Sequence, residues 1–127
     1  MVKEVIAPAN VYKPRGFSHA FKAGNTIYVG AQGSTDEDYK LVGKGDFVRQ
    51  TEQTYENLKR VLDAAGAKTS DIVKMTYYVI NPEDLNKTSD VFLRYFHEPY
   101  PALTVIKVLG FFVPDVLIEV DAIAVVE

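Results

Sequence analysis

The stretch LIEVDAIAVV, residues 117–126, limits what this chain can fold into more than any other. Its β-branched and small apolar residues favour a strand, and in a strand successive side chains point to opposite faces. Ile118, Val120, Ala122 and Ala124 then form one apolar row. The opposite row carries Leu117, Ile123 and Val125, interrupted by Glu119 and Asp121. A strand that is apolar on both sides has to be covered on both sides.

The rest of the chain supplies cover for only one of them. With 127 residues the chain can bury one core, and a single domain over residues 1–127 is expected. After an extended N-terminal segment, SHAFKAGNTIYVGAQG reads as a hairpin turning around Ala23-Gly24-Asn25. Residues 34–46 are polar and Gly-containing, hence a loop. Asp46 caps a helix whose apolar positions Phe47, Thr51, Tyr55, Leu58, Val61, Leu62 and Ala65 recur at helical spacing, and Gly66 stops it. DIVKMTYYVI, residues 71–80, is a strand. Residues 81–96 predict a second helix, opened by Asn81, Pro82 and two acids, with Leu85, Phe92, Tyr95 and Phe96 as its buried stripe and Pro99 closing it. Two last strands, ALTVIKVL and LIEVDAIAVV, are joined near GFFVPD. The order ββ-α-β-α-ββ is an α+β layout of five or six strands with two helices on one face. No helix is left for the second face, so another copy of the chain is the economical cover.

Composition removes several function classes. A net charge of −3 without any Lys or Arg run longer than two disfavours nucleic-acid binding. The absence of cysteine excludes disulfides, thiol nucleophiles and thiolate metal sites. No window approaches the roughly 18 apolar residues of a membrane span, and the N-terminal residues lack a signal-peptide pattern; a cytoplasmic protein is expected. His19 and His97 have no ligand-like spacing, so no metal is expected, and a helix C-terminus suffices to explain His97. GNTIYVGAQG flanks a strand without opening a helix and is no dinucleotide fingerprint.

The chemistry concentrates at Glu119 and Asp121, about 7 Å apart on one strand face. A carboxylate on an apolar face is costly unless paired, and a like charge beside it raises its pKa. Such a group is poised for proton transfer near neutrality. The plainer alternative is that one of the two ends in solvent or pairs with a lysine across a hairpin.

FSHAFKAGNTIYVGAQG, QTYENLKRVLDAAGAKTSDIVKMTYYV and PALTVIKV…LIEVDAIAVV, in that order, resemble the Rid (YjgF) family from about residue 10 to the end. The resemblance implies a chorismate-mutase-like fold with a six-stranded mixed sheet and two helices packed on one face. It also implies a homotrimer with three clefts between subunits, each taking a small molecule. The activity implied is cofactor-free hydrolysis of enamines and imines, such as 2-aminoacrylate, to 2-keto acids and ammonia. In that scheme Glu119 handles water, Phe17 packs on the ligand where a tyrosine is usual, and amides near Gly30 and Ala31 line the cleft. Ser89 stands where an asparagine is common.

One position departs from the pattern. Leu103 stands where an arginine after Pro-Ala grips the substrate carboxylate, and no arginine follows Arg94. Lys107, on the same strand face as Leu103, is the only downstream cation and lacks the planar fork. Loss of a bidentate contact of about 1.5–3 kcal/mol weakens carboxylate binding roughly ten- to a hundredfold. His19, two residues from Phe17, or Arg15 could supply a replacement contact. Two functions stay open: an imine or enamine hydrolase with altered specificity, and a non-catalytic trimer binding a metabolite or partner. An endoribonuclease role fits the acidic composition poorly.

Overall fold

A computed structural model describes residues 2–127. The chain runs β1 (Lys3–Ile6), β2 (Ala20–Ala23), β3 (Thr26–Gly33), α1 (Phe47–Ala64), β4 (Ile72–Val79), α2 (Ser89–Tyr95), β5 (Ala102–Lys107) and β6 (Ile118–Val125), with short 3₁₀ turns at Thr69–Asp71 and Pro82–Lys87. The six strands form one sheet in the order β1-β2-β3-β6-β4-β5. Only β4 and β5 run parallel, so the sheet is mixed, as expected. The extended N-terminal segment is itself a strand, pairing Ile6 with Ala20.

α1 starts and stops where the sequence places it. Asp46 accepts a hydrogen bond from the Arg49 amide at 3.0 Å. At the other end Gly66 adopts φ +78°, while the Gly66 amide donates to Asp63 O and the Ala67 amide to Leu62 O. This paired closure is the Schellman arrangement, and it needs a left-handed residue at that point. Tyr55, Leu58, Val61 and Leu62 are buried over Ile27, Val29, Ile118, Val120 and Ala122.

One expectation needs correction. Residues 81–96 are not one helix. Asn81 caps the 3₁₀ turn by accepting from the Glu83 amide, and the hydroxyl and amide of Thr88 both close on Leu85 O. Thr88, at φ −116° and ψ 16°, separates that turn from α2. Its side chain competes for the backbone carbonyls and so interrupts the helix. α2 buries Val91 fully, a residue outside the expected stripe, while Leu85, Phe92 and Tyr95 are only partly buried. The last two strands, whose pairing the sequence left open, are not neighbours in the sheet. The α2 crossover makes β5 parallel to β4, and β6 lies between β3 and β4.

The two faces of the sheet differ. On the helix face Ile118, Val120, Ala122 and Ala124 are all buried. On the other, Val5, Phe21, Tyr28 and Val125 are exposed, and Glu119, Asp121 and Ile123 are half-buried. All six residues of β5 are exposed. No helix is long and apolar enough to cross a membrane among the described residues.

Candidate active site

The loop between β1 and β2 is pinned on two sides. Arg60, from α1, donates to Asn10 O at 3.2 Å. The His19 Nε2 donates to Tyr12 O at 2.7 Å. His19 Nδ1 receives the Gln32 amide at 3.2 Å, and the second hydrogen of that amide goes to Gly30 O at 3.2 Å. The amide donor on Nδ1 places the hydrogen on Nε2, so both nitrogens are occupied. His19 is buried and builds the loop; neither nitrogen is left for a ligand. Tyr12 packs edge-on to His19 at 4.7 Å and against Tyr39 at 4.4 Å.

β3 breaks register beside this loop. Val29 opposes Ala122 and Gln32 opposes Val120, leaving one extra residue on β3. This is a β-bulge, and it turns both Gly30 and Ala31 outward. The Gly30 amide is already used, donating to His19 O at 2.8 Å. A β-carbon at Gly30 would stand 3.4 Å from that same oxygen, so the glycine allows a close backbone approach.

Past the bulge Gly33 pairs with Glu119, which pairs on its other side with Tyr78 of β4. A β-carbon at Gly33 would lie 3.3 Å from Glu119 Cγ, so the missing side chain is what makes room for the carboxylate. Burial pushes the Glu119 carboxyl above the usual carboxylate range. The expected contribution of a neighbouring like charge is absent from this shift, which has burial as its cause. Asp121 is instead held by the Tyr78 hydroxyl at 2.8 Å. Glu119 has no hydrogen-bond or ion-pair partner among the described residues. The two carboxylates thus divide, one bonded to the sheet and one open.

Glu119 faces a cleft of about 920 Å³ together with Phe17, Gly30 and Ala31. Tyr12, Tyr39 and Phe112 add aromatic wall, and Lys13 and Arg15 line it from the β1–β2 loop. Burial, with Tyr39 and Glu119 nearby, raises the Tyr12 hydroxyl to about 12, so it stays protonated. Tyr12, Tyr39, Phe112 and Lys13 escape a reading of the sequence by strand and helix period. The signal available was aromatic residues in polar or Gly/Pro-flanked loops. Tyr39 is presented by Asp36, whose carboxylate accepts from the amides of Asp38 and Lys40, both at 2.9 Å.

Three expected residues lie elsewhere in the chain. Ser89 is exposed at the start of α2. Leu103, 57% exposed, pairs with Met75 and so stands on the helix-side face, as does Lys107 opposite Val79. Met75 in turn opposes Ala122, which places Leu103 about 10 Å across the sheet and about 10 Å along it from Glu119. None of the three lines the cleft of its own chain.

Buried amides of α1 hold the irregular backbone around the site. Gln50 donates to Gly43 O and Asp115 O and accepts from the Leu117 amide, fixing the entry to β6. Asn57 donates to Gly33 O at 2.8 Å and to Thr35 O at 2.9 Å, fixing the exit of β3. Such groups satisfy buried carbonyls that no ladder reaches.

Comparison with known proteins agrees with this architecture. The sequence profile of the family described as Endoribonuclease L-PSP matches residues 8–126. A RutC family protein of Pyrococcus horikoshii is 40% identical over 124 residues, covering 97% of this chain and 98% of that one. A 2-iminobutanoate/2-iminopropanoate deaminase of Dermatophagoides farinae is 29% identical over 126 residues, covering 98% of each. The crystal structure of RidA from an Antarctic Psychrobacter superposes with a TM-score of 0.88 at 28% identity, covering 97% of this chain and 99% of that one. A profile match over nearly the whole chain, a 40% identical relative and a shared fold lead to one assignment: the chain belongs to the Endoribonuclease L-PSP family, the Rid or YjgF family of RutC- and RidA-like proteins.

Proposed function

We propose that this chain is a cofactor-independent hydrolase of small imines, working as a homotrimer with its clefts at subunit boundaries. The observation that carries the reading is Glu119, a half-buried, unpartnered carboxyl whose proton affinity is raised by burial, facing the cleft. In the proposed reaction water adds to the imine carbon while Glu119 takes its proton. The same carboxyl returns that proton to nitrogen, giving a carbinolamine, and then relays the hydroxyl proton to nitrogen as the C–N bond breaks, releasing ammonia and leaving a 2-keto acid. A carboxyl tuned upward suits both transfers. Phe17 supplies an apolar wall for the ligand, and Ala31 offers backbone at the bulge.

Association is supported by the unfinished face of the sheet, where Val5, Phe21, Tyr28 and Val125 are exposed together, and by the bare edge of β5. In a trimer Leu103, Lys107 and Ser89 would meet the cleft of a neighbouring copy, where Leu103 leaves the β5 side without an arginine and Lys107 without the planar fork. The likeness to 2-iminobutanoate/2-iminopropanoate deaminase supports the imine as substrate class.

Ammonia release from 2-iminobutanoate generated in situ tests the function. Wild type should exceed the buffer rate, and Glu119→Gln should lose about 10²–10⁴-fold. A wild type no faster than buffer would leave the cleft as a metabolite-binding site without turnover. Light scattering tests the trimer, which a monomeric mass would rule out.

A further inference from the structure

We propose that Arg15 is the carboxylate-recognition residue of this cleft, so that the ligand is a small 2-keto or 2-imino acid gripped within one chain from the β1–β2 loop. The identity of the reacting imine rests on the hydrolase reading; the anion grip does not. Of the 14 Lys and Arg residues, only Lys13 and Arg15 line the cleft within their own chain. Neither takes part in an ion pair or a side-chain hydrogen bond among the described residues, unlike Lys44, Lys59, Lys87 and Arg94.

The loop presenting Arg15 is held rather than free. Arg60 clamps it at Asn10, His19 clamps it at Tyr12, and Gly30 clamps it at His19. Pro14 fixes φ immediately before Arg15, and Gly16 turns at φ +79° immediately after. Such anchoring lowers the entropy lost when the side chain engages a ligand.

Charge inside the cleft sets the ligand's orientation. The other charged lining groups are Glu37, Asp38 and Glu119, all repelling an anion. A carboxylate is therefore favoured beside Lys13 and Arg15, and the proposed pose turns its 2-carbon toward Glu119. Arginine's planar fork matches a carboxylate bidentately, whereas Lys13 offers a point charge. Lys13 also borders a second, apolar groove with Val5, Pro8 and Val11, so its ammonium is shared between two surfaces.

Calorimetric titration with 2-oxobutanoate, the keto acid formed from 2-iminobutanoate, separates grip from chemistry. Wild type should bind it, and Arg15→Gln should weaken binding about tenfold, with Arg15→Lys in between. Binding of uncharged 2-butanone should be unaffected, and the melting temperature should not move because Arg15 is exposed. In turnover the loss should fall on KM rather than kcat. Wild-type affinity in Arg15→Gln, or no 2-oxobutanoate binding by wild type, overturns the proposal. Arg15-dependent binding without any hydrolysis upholds the proposal and removes only the hydrolase reading.

Discussion

The two faces of β6 are made from the same eight residues and have opposite characters. Ile118, Val120, Ala122 and Ala124 lie under the helices with at most 3% of their surface exposed. Glu119, Asp121, Ile123 and Val125 remain partly or largely open. Hydrogen bonding shows the same division. Under α1 the Tyr55 and Tyr77 hydroxyls bond each other at 2.6 Å in the core, and burial raises both. On the open face Tyr78 holds Asp121 while Glu119 is left without a partner. The helix-covered face is complete within one chain. The other stays partly open within one chain.

Substitutions can break that contrast. Leu58→Ala, fully buried over the sheet, should cost about 2–5 kcal/mol in chemical denaturation regardless of protein concentration. Ile123→Ala on the open face should cost about 1 kcal/mol if the face stays bare, and more, with a midpoint that depends on concentration, if another copy covers it. The second outcome is expected; a small, concentration-independent loss would leave the face uncovered. Tyr78→Phe should cost about 1 kcal/mol by freeing Asp121 and leave imine hydrolysis intact. Gly33→Ala should do the reverse, lowering hydrolysis by crowding Glu119 while stability changes by less than about 1 kcal/mol.

The smallest effect is in pH dependence. Because burial raises the Glu119 carboxyl, the folded chain holds this proton more tightly than the unfolded one. The group therefore favours folding below its unfolded value, and that contribution is lost as pH rises toward its folded value. Glu119→Gln should be slightly more stable than wild type at neutral pH, with the margin closing in acid. A margin that grows in acid would mean that the carboxylate is stabilised in the fold.

Periodicity made the core legible. The α1 stripe from Phe47 to Ala65 and both rows of β6 follow directly from spacing, and Asp46 and Gly66 mark the helix ends by local chemistry. Spacing could not order the strands, because β6 inserts between β3 and β4 through contacts remote in sequence. Thr88 interrupts a helix that composition supports, by bonding its own neighbour's carbonyl. At the site, Glu119 stood out as a charge on an apolar row. Tyr12, Tyr39, Phe112 and the buried amides Gln50 and Asn57 did not, since each acts through a loop conformation that no period encodes.

The bulge at Gly30 and Ala31 has a consequence for how this cleft can change over time. Val29–Ala122 on one side and Gln32–Val120 on the other are paired, and the extra residue between them stands outside the ladder. A one-codon deletion at Ala31 would thus shorten the cleft wall by a peptide and still preserve the ladder and the core beneath it. Lineages can try new wall shapes at this point without first having to refold the sheet.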